Sequence, residues 1–159
     1  MMFRANPSNE IYGFFMRKLS LFFLSFALVP ISYAGDIVKV TDAWVRLPPP
    51  GAQIAAAYLT LESKQTLSLS NVTSQAAEVV EMHSMSTQNG VMQMRQLKAL
   101  NLPAGKPLTL EPGGLHLMLI NPKNPLKEGD KVPLLLTFKQ GKRVVGAVSV
   151  TAIVKAPAQ

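Results

Sequence analysis

The 159-residue chain sets apolar against polar positions in short runs, each closed by glycine, proline, asparagine or aspartate. Ile37 to Val45 (IVKVTDAWV) reads as a first strand and stops at Pro48-Pro49-Pro50-Gly51. Ile54 to Leu61 (IAAAYLTL) turns rich in strand formers after its alanines. Thr66 to Val72 (TLSLSNV) opposes Leu67 and Leu69 to Ser68 and Ser70, the period of two expected of a half-buried strand. Glu78 to His83 is another strand. Leu108-Thr109-Leu110 leads into the turn Glu111-Pro112-Gly113-Gly114, and Leu115 to Ile120 leaves it. Pro133 to Phe138 and Arg143 to Val154, joined by Lys139-Gln140-Gly141-Lys142, close the pattern. About seven to nine short strands, spaced by roughly ten residues, predict one all-β domain, a sandwich or a barrel. No segment holds a helical period for three turns; only 74–79 and 98–104 leave room for a single helical turn.

One turn fixes a register. Asn89-Gly90 lies between two strand-like runs, the sequence signal of a two-residue type I′ hairpin loop. With those residues as the loop, Met85 opposes Met94, Thr87 opposes Met92 and His83 opposes Gln96. Directly opposed residues share a face, as do residues two apart. His83, Met85, Met92 and Met94 are therefore expected on one side of the hairpin, with His83 and Met94 as diagonal neighbours. Met82 has the opposite parity and belongs to the core. Further along, His116 and Met118 share a face while Leu115, Leu117 and Leu119 take the other.

The N-terminus changes the accounting. Arg17-Lys18 precedes the apolar run LSLFFLSFALVPI and then Ser32-Tyr33-Ala34, the layout of an export signal with a small-x-small cleavage site. The run is too short for a membrane span, which needs roughly 20 residues. Residues 1–34 are read as a signal peptide, with 1–15 as an N-terminal extension before Met16. Residues 35–155 then form the folded domain and 156–159 a flexible tail. Without Arg4, Arg17, Lys18 and Glu10 the formal charge falls from +7 to +5. The remaining lysines are scattered, with no basic run interleaved with aromatics, so nucleic-acid binding is not expected. A mildly basic surface suits an acidic protein partner better.

Removal of the leader also concentrates the chemistry. The chain has two histidines, His83 and His116, and eight methionines, of which Met1, Met2 and Met16 fall in the first 34 residues. Every remaining imidazole and thioether lies between Met82 and Met118. A single methionine in such a chain is usually a core filler, and a lone strand histidine is usually a hydrogen-bonded edge residue. Parity-matched histidines and methionines confined to one stretch point instead to a metal site. Two imidazoles and neutral thioethers form a soft, uncharged set that favours Cu(I) over zinc, calcium or magnesium. The chain has no cysteine, which excludes disulfides, thiolate ligands, thiol nucleophiles and a lipidated cysteine within it.

At this point the sequence resembles a known family. His83, Met94 and His116-x-Met118 fall at the spacing of the periplasmic PCu(A)C copper chaperones, of the DUF461 type. The similarity extends to Asp42-Ala43-Trp44-Val45-Arg46, Ala56-Ala57-Tyr58-Leu59-Thr60-Leu61, Gly90-Val91-Met92-Gln93-Met94-Arg95, Pro112-Gly113-Gly114-Leu115-His116-Leu117-Met118-Leu119 and Pro125-Leu126-Lys127-Glu128-Gly129-Asp130. The resemblance implies a cupredoxin-like, Greek-key β-sandwich that binds Cu(I) through His83, Met94, His116 and Met118. Met85 and Met92 are left as lining or auxiliary ligands. It further implies a periplasmic carrier that delivers copper to the copper-bearing subunit of cytochrome c oxidase or to another copper-transfer protein; a monomer is expected. Relatives with a His/Met-rich C-terminal extension also bind Cu(II); residues up to Gln159 include no such run, so a second copper site is not expected.

Rival readings are weaker. A blue-copper electron carrier needs a cysteine thiolate. A histidine-brace oxygenase needs histidine at the mature N-terminus, where Gly35 is predicted. A hydrolase triad has no spare imidazole once both histidines serve a metal. The chain is accordingly read as a non-enzyme, and copper buffering without a dedicated oxidase client is the alternative to a chaperone. N-terminal sequencing of the exported protein should return Gly35; a start at Met1 or Met16 would overturn the leader assignment.

Overall fold

The computed structural model describes residues 37–88 and 90–156. The expected leader (1–34, with its extension 1–15), Gly35, Asn89 and residues 157–159 of the expected tail lie outside the described residues. Among the described residues the chain forms ten strands and no helix. They are β1 (Lys39–Arg46), β2 (Ile54–Glu62), β3 (Leu67–Ser74), β4 (Ala77–Gln88), β5 (Val91–Leu97), β6 (Leu100–Leu102), β7 (Leu108–Leu110), β8 (Leu115–Pro122), β9 (Lys131–Gln140) and β10 (Arg143–Lys155).

Hydrogen bonding links them in the order β5-β4-β8-β2-β1-β10-β9-β3-β6, with β7 beside the second half of β2. The β1–β10 pair is parallel and every other pair is antiparallel. Strands from both halves of this order contribute to a single buried cluster, so the sheet folds over on itself as a sandwich. The inward positions obey the period of two. Ala55, Ala57, Leu59 and Leu61 of β2 are buried, as are Leu117 and Leu119 of β8 and Val132, Leu134, Leu136 and Phe138 of β9. The all-β expectation therefore holds, and the fold has the cupredoxin-like, two-layered character anticipated for it.

Two details depart from the sequence reading. The 98–104 segment holds strand β6, paired with β3 through Leu67↔Leu102 and Leu69↔Leu100, where a helical turn was allowed. Leu100 and Leu102 are buried on either side of exposed Asn101, a period-two pattern too short to recognise in isolation. The 74–79 segment likewise holds the end of β3, the two-residue turn Gln75-Ala76 and the start of β4, not a helical turn. In β1 the register shifts between Thr41 and Trp44, and Asp42 takes a left-handed φ of 52°. This bulge is a use for which aspartate is better suited than most residues. It sets Trp44 directly opposite Tyr58.

The β4–β5 hairpin has the register predicted for it: Met85↔Met94, Thr87↔Met92 and His83↔Gln96 are all cross-strand partners. Its base packs on the core through Met82, which opposes Leu117 of β8. Its outer half leaves the core, with Ser86, Thr87, Gln88, Val91 and Met92 exposed. The two parities of the hairpin thus differ in role: Met82 is 7% exposed whereas Met92 is 67% exposed. Met82→Ala is expected to cost about 2–5 kcal/mol through the cavity it leaves. Met92→Ala should stay within about 0.5 kcal/mol of the parent. Denaturant unfolding of the two variants checks the pair, and equal losses would contradict the assigned parity.

Candidate metal centre

Strand β4 lies between β5 and β8, and this position brings the candidate donors together. His83 has Gln96 across from it on one side and His116 across from it on the other. Met118 faces Glu81, and Met94 faces Met85. His83, Met85, Met94, His116 and Met118 consequently share one face of three adjacent strands, opposite the face that carries Met82 and Leu117. Met94 and Met118 occupy diagonals on the two flanks of His83, a separation that long side chains span. Met92 shares the same face one step further toward the hairpin tip. The sequence placed His83 and Met94 on one hairpin and His116 and Met118 on another strand. The structure joins the halves through the His83–His116 rung.

The two imidazole rings lie 5.8 Å apart between centres, tilted by 31°. An imidazole bound at a metal–nitrogen distance of about 2 Å puts its ring centre about 3 Å from the ion, so two rings sharing an ion lie up to about 6 Å apart. The observed spacing therefore fits one ion between the rings. Both rings are also oriented by hydrogen bonds. His83 Nε2–H donates to Glu81 Oε2 at 2.8 Å, and His116 Nδ1–H donates to the Gly114 carbonyl at 3.1 Å. That carbonyl also accepts from the Met85 amide at 3.0 Å, which fixes it between β4 and the start of β8. A ring nitrogen held by a carboxylate or a backbone carbonyl is the usual arrangement around a metal-bound histidine.

One atom is left without a partner. His83 Nδ1 is buried and makes no hydrogen bond, the only side-chain nitrogen or oxygen among the described residues in that condition. Leaving such an atom unpaired costs about 1–3 kcal/mol, and a metal ion is a natural acceptor of its lone pair. Hard-metal chemistry finds little support. No group of three or more His, Cys, Asp or Glu side chains among the described residues is placed to hold an ion. A centre built on these imidazoles therefore has to draw on the thioethers.

The surroundings grade from dry to wet. His116 is buried although its strand position faces outward, whereas Met94 is 48% exposed at the outer strand of the sheet. On the same sheet, Trp44 and Tyr58 pack with ring centres 4.6 Å apart. Burial raises the Tyr58 phenol above its ordinary pKa of 10.0, with the Arg46 charge pulling the other way. Continuing the β2–β8 register past Ala57↔Leu117 would set Tyr58 beside His116, where β2 changes partner from β8 to β7. Sequence reasoning did not single out Glu81, the Gly114 carbonyl or this aromatic pair. Glu81 was accessible to it, lying two residues before His83 and hence on the same face.

The chain is similar to known proteins in both sequence and fold. The model of the family described as "Putative lipoprotein LpqE-like" matches residues 38–150. "Putative lipoprotein Lxx21020" of Leifsonia xyli subsp. xyli is 35% identical over 116 residues, covering 72% of this chain and 70% of that protein. Among solved structures, Cu(I)-loaded DR1885 of Deinococcus radiodurans is similar at 31% identity and a TM-score of 0.54, covering 75% of this chain and 76% of that one. Its apo form gives 32% identity and a TM-score of 0.56, covering 76% and 80%. The copper-bound PCuAC domain from PmoF2 superposes with a TM-score of 0.62 at 24% identity, covering 76% and 94%, a likeness that speaks to the fold alone. A family match across most of the chain, joined to a relative of this identity, shows that the protein belongs to the LpqE-like family.

Proposed function

We propose that the protein is an exported, non-catalytic Cu(I)-binding chaperone that receives copper on the His83–His116 face and passes it on. The observation that carries this reading is the direct opposition of His83 and His116, with an unpartnered buried nitrogen on one ring and thioethers on both diagonals. Four neutral donors, His83, Met94, His116 and Met118, make a soft set suited to a monovalent, polarizable ion. Met85 and Met92 extend that set outward as auxiliary donors. Copper in a relative of the same fold supports the choice of ion: DR1885 of Deinococcus radiodurans is solved with Cu(I).

Export is supported by the leader-like N-terminus and by the lipoprotein description of the family. The 159 residues hold no cysteine to which a thioether-linked lipid could attach. A periplasmic location follows from this reading. Release to a partner fits a site whose outermost ligand, Met94, is half open to solvent on the last strand of the sheet. The intended recipient in this reading is the copper-bearing subunit of cytochrome c oxidase or another copper-transfer protein.

Titration of the domain with Cu(I) against a competing chelator tests the site. Replacing His116 and Met118 together by alanine should weaken binding by about tenfold or more in a protein that circular dichroism still reports as a folded β domain, and parental affinity in that variant would overturn the assignment. The delivery role is tested in a deletion strain. Oxidase activity should fall and return on adding copper; unchanged oxidase activity with raised copper sensitivity would indicate a buffering protein.

A further inference from the structure

We infer that Glu81 selects the nitrogen with which His83 meets copper, so that the two imidazoles act through opposite ring atoms, Nδ1 of His83 and Nε2 of His116. The inference rests on the Cu(I) reading above and deepens it. An ionised carboxylate and a backbone carbonyl have no proton to donate, so the ring nitrogen facing each must carry the hydrogen. Glu81 Oε2 faces Nε2 of His83 at 2.8 Å, and the Gly114 oxygen faces Nδ1 of His116 at 3.1 Å. In a neutral ring the other nitrogen then holds the lone pair. For His83 that atom is Nδ1, the buried nitrogen without a partner.

The two rings are held by different means. His116 is oriented by main chain: the Gly114 carbonyl is anchored by the Met85 amide and by a turn closed through Gly114 N–H to Glu111 O at 3.0 Å and Glu111 N–H to Leu115 O at 2.8 Å. His83 is oriented by one side chain. Glu81 lies two residues before it on β4, on the same face, and directly opposite Met118 of β8. That position lets its carboxylate hold one nitrogen of the ring, Nε2, while Nδ1 keeps no partner. Its negative charge also faces a ligand set that is otherwise uncharged, and so compensates the single positive charge of a cuprous ion. Glu81 is on this argument a positioning residue and not itself a ligand.

Ring-nitrogen NMR of the 15N-labelled protein at neutral pH tests the assignment, first without metal and then with Cu(I), which is diamagnetic. The metal-free protein should show His83 as the Nε2–H tautomer and His116 as the Nδ1–H tautomer. Cu(I) should then move Nδ1 of His83 and Nε2 of His116. Glu81→Ala should leave His116 and the thermal midpoint as they are, release His83 into a mixture of tautomers and weaken Cu(I) binding by about 10- to 100-fold. Glu81→Gln, whose amide oxygen still accepts a hydrogen bond, should recover the Nε2–H tautomer. A metal-free His83 protonated on Nδ1, or a Glu81→Ala protein with parental tautomer and affinity, would overturn the proposal. Movement of His83 Nε2 by Cu(I) would overturn it while leaving the copper centre standing. A titration that moves neither ring would overturn the copper reading and this inference together.

Discussion

The pairing of β4 with β8 is the constraint on which the candidate centre depends. These strands are separated by the β5 hairpin, β6 and β7, so nothing local sets their register. It is set by burial. Met82 and Leu117 oppose each other on the core side, and this forces His83 and His116 to oppose each other on the outer side. A slip of one residue would drive an imidazole into the hydrophobic cluster and turn a buried leucine out to water. The penalty for that exchange, about 1.5–3 kcal/mol for the leucine alone, protects the geometry of the site without any contribution from a metal. The core on one face thus guarantees the chemistry on the other.

Around this rung the structure combines features that rarely suit a hard ion. The two rings are close, partly dry and each held by an acceptor at one nitrogen. On the two flanks of His83 the diagonals shared with β5 and β8 carry the sulfurs of Met94 and Met118. The nearest carboxylate, Glu81, is already committed to a ring nitrogen. For the Cu(I) centre proposed above, this leaves neutral donors in contact and one compensating charge a step behind, an arrangement that holds an ion without the grip of thiolates.

Some of this was legible in the sequence, and the division follows the range of the interaction. The His83–Met94 relation followed from two residues of turn chemistry, because a two-residue hairpin loop fixes register locally. The structure has that pairing although Asn89 itself lies outside the described residues. The parity of Met82 followed from the period of a strand. The His83–His116 rung did not follow, since a non-local pair depends on how the whole sheet folds over. Strand β6 escaped for a different reason: two leucines around one asparagine carry too little pattern to separate strand from turn. Glu81 shared the parity of His83 but was not singled out, because only the distance to Nε2 distinguishes it from other strand carboxylates.

The gradient of exposure across the methionines has a consequence for the durability of the protein. Met82 is enclosed, Met94 is half open and Met92 is the most open of the three. Thioethers oxidise to sulfoxides in proportion to their access to oxidant, and the product replaces a soft sulfur donor by a polar, oxygen-bearing group. Damage in an oxidising compartment would therefore begin at the hairpin tip, where Met92 can be sacrificed without loss of the core. It would reach Met94 next and Met82 last. At the proposed copper site, the openness that suits Met94 to exchange an ion also exposes it to oxidation before the enclosed sulfur of Met82.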